Sequence, residues 1–156
     1  MKLARMTGLA MMFLAFSAFA GDLEDGVNSY KSQDYESAAK FFRKAAEQGD
    51  VQAQLKLGML YATGRGVPLD DKQAVSWYQK AAEKKNAEAQ FYLGVRYANG
   101  NGIAKDYVEA YKWLAISGKA GFEFSTLFRE FLEKDMKPAN IAEAQKRANA
   151  WMKAHP

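Results

Sequence analysis

A serine and a lysine three positions apart, Ser37 and Lys40, are the first pair in this chain whose types and spacing could do chemistry. In serine acyl-transfer enzymes a Ser-x-x-Lys element supplies a nucleophilic hydroxyl and a basic amine. Those enzymes complete the site with Ser-Asp-Asn and Lys-Thr-Gly elements, and neither occurs in this sequence. Because a match with two free positions often arises by chance, we expect no catalytic residues here.

Two Gly-x-Gly pairs have the composition of a phosphate cradle, namely Gly64 with Gly66 and Gly100 with Gly102. A phosphate-binding loop needs a strand before it and a helix after it. Both pairs instead follow helical segments, so they are predicted to be turn glycines. His155 is the only histidine and the chain has no cysteine, which predicts neither a zinc site nor a histidine-based triad. We expect no metal and no cofactor.

The N-terminal segment has the three parts of a secretory signal peptide. Lys2 and Arg5 form a basic start, residues 8–16 are an uninterrupted apolar run, and small residues precede a cleavage site between Ala20 and Gly21. The apolar run is shorter than the roughly 20 residues that a membrane span needs. A soluble periplasmic or secreted protein is expected, since the chain also lacks a cysteine for lipid attachment.

The net charge of the chain does not favour a polyanionic partner. The formal net charge is +4, and it falls to +2 when the basic residues of the signal peptide are removed. Such a mild excess does not indicate binding to nucleic acid or to an anionic membrane. The remaining 136 residues suit one monomeric domain that a packed core must stabilise without disulfides.

The elements that position these residues repeat at a constant offset of 36 residues. Self-similarity of this length is typical of stacked helix pairs, each of which buries its apolar face only against its neighbours. The aligned sets include Ala38, Ala74 and Ala110; Phe41, Trp77 and Trp113; Ala53 and Ala89; Gln54 and Gln90; Leu57 and Leu93; Gly58 and Gly94; Tyr61 and Tyr97.

Helix start and stop signals divide the chain into eight helices. Asp50 and Asn86 are predicted N-caps, and Gly64 and Gly100 are predicted to end the helices that follow them. The predicted ranges are 22–31, 35–48, 51–63, 71–84, 87–99, 107–117, 122–134 and 139–153.

Glycine within two of these helices has a packing explanation. A glycine inside a helix costs about 1 kcal/mol relative to alanine. We therefore expect Gly58 and Gly94 to leave room for a bulky side chain opposite, from Trp77, Tyr78, Trp113 or another tyrosine.

Two segments carry a family resemblance. Ala-Val-Ser-Trp-Tyr-Gln-Lys-Ala-Ala at 74–82 and Ala-Glu-Ala-Gln-Phe-Tyr-Leu-Gly-Val-Arg-Tyr-Ala-Asn-Gly-Asn-Gly-Ile at 87–103 closely resemble the Sel1-like repeat. This repeat is a relative of the tetratricopeptide repeat with a longer, glycine-containing loop. The resemblance implies right-handed α-superhelices that serve as scaffolds or adaptors, often in bacterial envelopes.

The fold expected from these patterns is all-α, a right-handed α-solenoid of about four antiparallel helix pairs. Its divisions are a signal peptide at 1–20, a tetratricopeptide-like helix pair at 21–49, Sel1-like repeats at 50–85 and 86–121, and a degenerate repeat with a capping helix at 122–156.

The resemblance also implies that the first helix of each pair lines a concave surface. Apolar residues on that surface, inside a polar rim, would bind an extended or helical peptide. The alternative is that these side chains pack against adjacent helices as core. The expected partner-binding residues are Gln52, Leu55, Met59, Glu88, Phe91, Val95, Leu127 and Phe131.

The function expected is that of an exported, non-enzymatic module that binds a protein or peptide partner in the cell envelope. Two alternatives stay open. One is a β-lactamase-like hydrolase that uses Ser37, an activity associated with a cysteine-rich branch of the family. The other is a binder of peptidoglycan or another envelope saccharide.

Overall fold

The computed structural model describes residues 21–156, and the predicted signal peptide lies outside them. Residues 21–156 form eight helices and no strand, so the predicted all-α repeat solenoid is confirmed. The helices are α1 (21–31), α2 (Tyr35–Glu47), α3 (Val51–Thr63), α4 (Asp71–Glu83), α5 (Ala87–Asn99), α6 (Tyr107–Lys119), α7 (Glu123–Glu133) and α8 (Pro138–Ala154).

The predicted caps of the two regular first helices are confirmed. The side chain of Asp50 accepts a hydrogen bond from the backbone of Ala53, and Asn86 caps α5 through Ala89 in the same way. Both helices end at glycines, Gly64 and Gly100. Helix α6 is two residues longer than predicted, because it continues to Lys119.

The two regular repeats also share contacts that the sequence pattern does not specify. Buried Gln54 donates from Nε2 to the carbonyl oxygen of Ala46 at 3.1 Å, and Gln90 makes the equivalent bond to Ala82 at 3.0 Å. Each glutamine therefore ties the start of a first helix to the end of the preceding second helix. This explains why a polar residue occupies a core position in both repeats.

Close packing between helices accounts for the two internal glycines. A Cβ on Gly58 would lie 2.8 Å from the ring of Tyr78, and one on Gly94 would lie 2.9 Å from Leu114. Tyr78 was among the expected partners, but the prediction of an aromatic opposite Gly94 was wrong. Leu114 fills that place because it lies 36 residues after Tyr78 in the repeat.

The C-terminal helices depart from the regular stack. Helices α7 and α8 both pack against α6. Trp151 meets Trp113 with ring centroids 5.6 Å apart, and Arg147 pairs with Glu109 at 2.9 Å. These contacts keep the same order along both helices, so α8 lies parallel to α6 and leaves the outer face of α7 uncovered.

Candidate partner-binding surface

Ser37 lies in the first turn of α2, where it takes part in helix capping. Asp34 is the N-cap, and its Oδ1 accepts a hydrogen bond from the backbone N–H of Ser37 at 3.1 Å. Hydrogen bonds from the Ser37 side chain and backbone hold the pKa of Asp34 below its ordinary value. The local contacts of Ser37 are thus those of a helix N-terminus.

The part of the chain that the structure describes holds no group of three or more His, Asp or Glu side chains placed to bind a metal ion. In the same residues, no helix is both long enough and apolar enough to cross a membrane.

One predicted contact residue lies in the core. Leu55 is 2% exposed and belongs to a cluster with residues of α4 and α5, including Val75 and Leu93. Its expected role in partner binding is wrong, because α4 of the same helix pair and α5 of the next pair cover its side chain.

The other predicted residues of α3 and α5 reach the surface to different degrees. Gln52 is exposed, whereas Met59, Glu88, Phe91 and Val95 are half-buried. We call these five residues, together with the exposed side chains of α7, the first-helix face. Met59 and Phe91 pack against the core and remain partly accessible to solvent.

Helix α7 carries the most exposed apolar part of this face. Leu127 and Phe131 are each 64% exposed, and Phe124, one turn earlier, is 66% exposed. Phe124 occupies the same repeat position as Gln52 and Glu88, so the 36-residue offset identifies it as a member of the set. Three large apolar side chains on one side of a short helix form a solvent-facing apolar stripe.

Aromatic rings connect α7 to the preceding repeat. Phe91 lies with its centroid 5.2 Å from that of Phe122 and 6.1 Å from that of Phe128. Phe122 in turn contacts Phe124 at 5.7 Å. The first-helix face is therefore continuous from α5 to α7, and its aromatic members support one another.

Charged groups near the middle of the face are held in place. Burial raises the pKa of Tyr92, and the neighbouring carboxylate of Glu88 raises it further. Arg96 of α5 pairs with Asp71 of α4 at 2.6 Å. The ion pair holds Arg96 against α4, and the carboxylate of Glu88 lies close to Tyr92.

A cleft at the N-terminal end of this face was missed by the sequence analysis. It has a volume of about 190 Å³ and lies between α1 and α3. The loop at 32–34 is four residues shorter than the linker at 64–70. When the repeat offset is reduced by these four residues, Val27 of α1 aligns with Met59 of α3. Correcting the offset for that loop would have found these residues. The lining residues are Val27, Tyr30, Lys31, Phe42, Lys56 and Met59.

A family model described as the Sel1 repeat matches residues 8–50, 51–86 and 87–122. The three matches cover more than half of the chain. The first begins inside the segment 1–20, for which the sequence predicts a signal peptide.

Solved structures agree with the family model. A protective antigen present in uropathogenic Escherichia coli strains, displaying an SLR fold, is similar with a TM-score of 0.83 and 29% identity over 86% of this chain. A Sel1 repeat protein from Oxalobacter formigenes is similar with a TM-score of 0.67 and 31% identity over 81% of this chain. This chain spans 30% of the length of the first and 54% of the second.

No curated protein matches it. The repeated caps, the shared glutamine bonds and these matches show that the chain belongs to the Sel1 repeat family.

Proposed function

We propose that this protein is an exported, monomeric interaction module that binds a protein or peptide partner on its first-helix face. Sel1 repeats typically mediate protein–protein interaction and are in general non-catalytic scaffolds. The observation that carries the proposal is the apolar stripe of Phe124, Leu127 and Phe131, which is about two-thirds exposed. Exposed apolar patches of this kind mark interaction sites on soluble proteins.

The proposed binding residues are the members of the face that solvent reaches. Apolar anchors at Met59, Phe91, Val95, Leu127 and Phe131 lie beside the polar side chains of Gln52 and Glu88. A partner that covers the anchors removes apolar surface from water, at about 25 cal/mol per Å². The polar side chains beside the anchors would then select among partners.

The proposed location is the periplasm or the exterior of the cell, after cleavage between Ala20 and Gly21. The basic start, the apolar run and the small residues before Gly21 support this part of the proposal.

Site-specific photo-crosslinking in the native compartment tests the proposal. A photoreactive amino acid at Val95 or Leu127 should give a discrete crosslinked product, because both lie on the first-helix face. The same amino acid at Gln73, an exposed residue of α4, is the control. We expect no product from Gln73, and we expect the recovered protein to begin at Gly21. Equal products from all three positions, or none from Val95 and Leu127, would contradict the proposal.

The stripe is also the reason to prefer a protein partner over an envelope saccharide. Aromatic rings can stack on a sugar, but the sugar hydroxyls also need hydrogen-bond partners, and the three stripe residues supply none. The enzymatic alternative has less support, since Ser37 interacts with the capping carboxylate of Asp34.

A further inference from the structure

The exposed face of α7 has the spacing of a helix–helix contact. Phe124, Leu127 and Phe131 are separated by three and then four residues, which places them along one side of a helix. Residues 21–156 contain four exposed large apolar side chains, and these are three of them. An apolar seam of this spacing is what a second amphipathic helix recognises.

The repeat shows what normally covers these positions. In the preceding unit Phe91 occupies the position of Leu127, and the rings of Phe122 and Phe128 pack on it from the following unit. One unit earlier Leu55 is buried by α4 and α5. The face of α7 is thus built like a surface that accepts a following helix, but α8 packs on α6 instead.

The charges beside the stripe indicate the chemistry of its partner. Glu123 and Glu130 each precede a stripe phenylalanine by one residue, so both lie on the same flank of α7. Both are exposed, and neither forms an ion pair with another residue in 21–156. By contrast, Glu133 pairs with Arg129 and accepts a hydrogen bond from Tyr111. At the other end of the stripe, Lys134 lies over the ring of Phe131. Glu123 and Glu130 outnumber this one lysine, so the net charge beside the stripe is negative.

A second copy of the chain fits this surface poorly. An antiparallel α7–α7 contact would bring the Glu123 and Glu130 side chains of the two copies onto the same flank, where like charges repel. The N-terminal helix offers no better match, because it exposes Glu24 and Asp25 together with Lys31, a mixture of charges. The charges at the α7 end therefore favour a different protein that carries positive charge.

We propose that α7 binds a basic amphipathic helix of a partner protein, which takes the place that the first helix of a further repeat would occupy. Its apolar side chains cover Phe124, Leu127 and Phe131, and its lysines or arginines pair with Glu123 and Glu130. This inference rests on the proposed function and specifies the partner at the α7 end of the same face.

The test uses a synthetic amphipathic peptide of leucine and lysine with the leucines at heptad spacing, carrying a fluorophore. Fluorescence anisotropy should show saturable binding to the wild-type protein. Replacing the three stripe residues (Phe124→Ser, Leu127→Ser, Phe131→Ser) should weaken binding by roughly tenfold or more, since buried apolar anchors dominate such contacts. Leu69→Ser is the matched control, because Leu69 is 65% exposed but lies outside α7. This variant should bind the peptide with the affinity of the wild-type protein.

Charge reversal provides the second arm. The double variant Glu123→Lys, Glu130→Lys should bind the lysine peptide more weakly than the wild-type protein does. It should bind more tightly a matched peptide in which glutamate replaces lysine. A peptide of the same composition with scrambled leucines should bind weakly to every variant. Circular dichroism should show unchanged helix content, because the substituted side chains all point into solvent.

Three outcomes would overturn the inference. One is equal binding of the lysine peptide to the wild-type protein and the triple stripe variant. Another is tighter binding of the glutamate peptide to the wild-type protein. The third is a concentration-dependent dimer in sedimentation that the stripe variant loses, which would identify a second copy as the occupant. A dimer through the stripe would also contradict the proposed monomeric state. After either of the first two outcomes, crosslinks that persist from Val95 and Leu127 would mean that the proposed function survives without this partner chemistry. If they are absent as well, both fail.

Discussion

Asp34 and Ser37 form a short hydrogen-bonded pair at the start of α2. The carboxylate accepts from the backbone N–H of Ser37, and the neighbouring Lys40 adds a weaker electrostatic stabilisation of its charge. Both contacts favour the ionised form of Asp34. The serine and lysine of the Ser-x-x-Lys element therefore support an N-cap, a role that single-sequence motif reading does not distinguish from catalysis.

This role predicts a pH effect at one residue. The pKa of Asp34 is lowered in the folded protein, so its capping contribution is present above the ordinary aspartate pKa and is lost as pH falls through the lowered value. Ser37→Ala should raise the pKa of Asp34 towards its ordinary value. Carboxyl chemical shifts measured by NMR across an acid titration check this. An unchanged midpoint in the variant would show that the Ser37 hydroxyl does not stabilise the carboxylate, since the backbone N–H remains in alanine.

The structural role of a residue was predictable where a local rule determines that role. Asp50 and Asn86 cap helices, and Trp77 and Trp113 are buried, as their repeat positions indicate. The burial of Leu55 was not predictable from its own helix, because the side chains that cover it belong to later helices. A pattern of apolar residues gives the face but not the depth at which each one lies.

The linkers between paired helices hold neighbouring repeats together. Gly102, in the loop between α5 and α6, lies against the backbone of Asp71 and Lys72 at the start of α4. Gly66 takes the same position against Tyr35 and Glu36 of α2. These contacts leave no space for a side chain, and Ile103 packs against the core immediately afterwards.

Gly102 and Gly121 are linker glycines with similar backbone conformation. Gly102 has a φ of +74° and Gly121 a φ of +94°, so alanine is strained at both by about 1–2 kcal/mol. At Gly102 a Cβ would also overlap the backbone of Asp71, whereas at Gly121 nothing lies within 4 Å. Gly102→Ala should therefore lower the free energy of unfolding by about 1–3 kcal/mol more than Gly121→Ala. Urea denaturation measures both, and equal losses would mean that the linker does not pack on α4.

Helix existence was predictable from periodicity, caps and glycine, because these signals are local. The position of α8 was not. The sequence reads 122–153 as a fourth helix pair, but α8 packs through Ala144 and Ala148, which are small enough to let it lie close against α6. The packing of α8 against α6 depends on the complementary surface of α6, and no sequence signal within α8 indicates that surface.

At the scale of the whole molecule, three core clusters follow one another along the stack. Each is formed mainly by consecutive helices, as expected when repeats contact only their neighbours. The first-helix face crosses these units and changes in character along its length. The cleft near α1 carries Lys31 and Lys56, whereas the stripe on α7 is flanked by Glu123 and Glu130.

The repeat period was enough to predict the solenoid and to place most of the first-helix face. It could not predict which part of that face stays open, because exposure depends on how the last helices pack. The open part is α7, where the regular covering contact is missing among residues 21–156.

Affinity capture from an envelope extract with paired variants tests the central claim most directly, namely that the first-helix face binds a partner. The variants are Leu127→Glu with Phe131→Glu, and Leu69→Glu as the equally exposed control. We predict that the wild-type protein and the control retain the protein crosslinked from Leu127, and that the double variant loses it while melting as a folded helical protein. Retention of that protein by the folded double variant, in the same amount as by the wild type, would contradict the account.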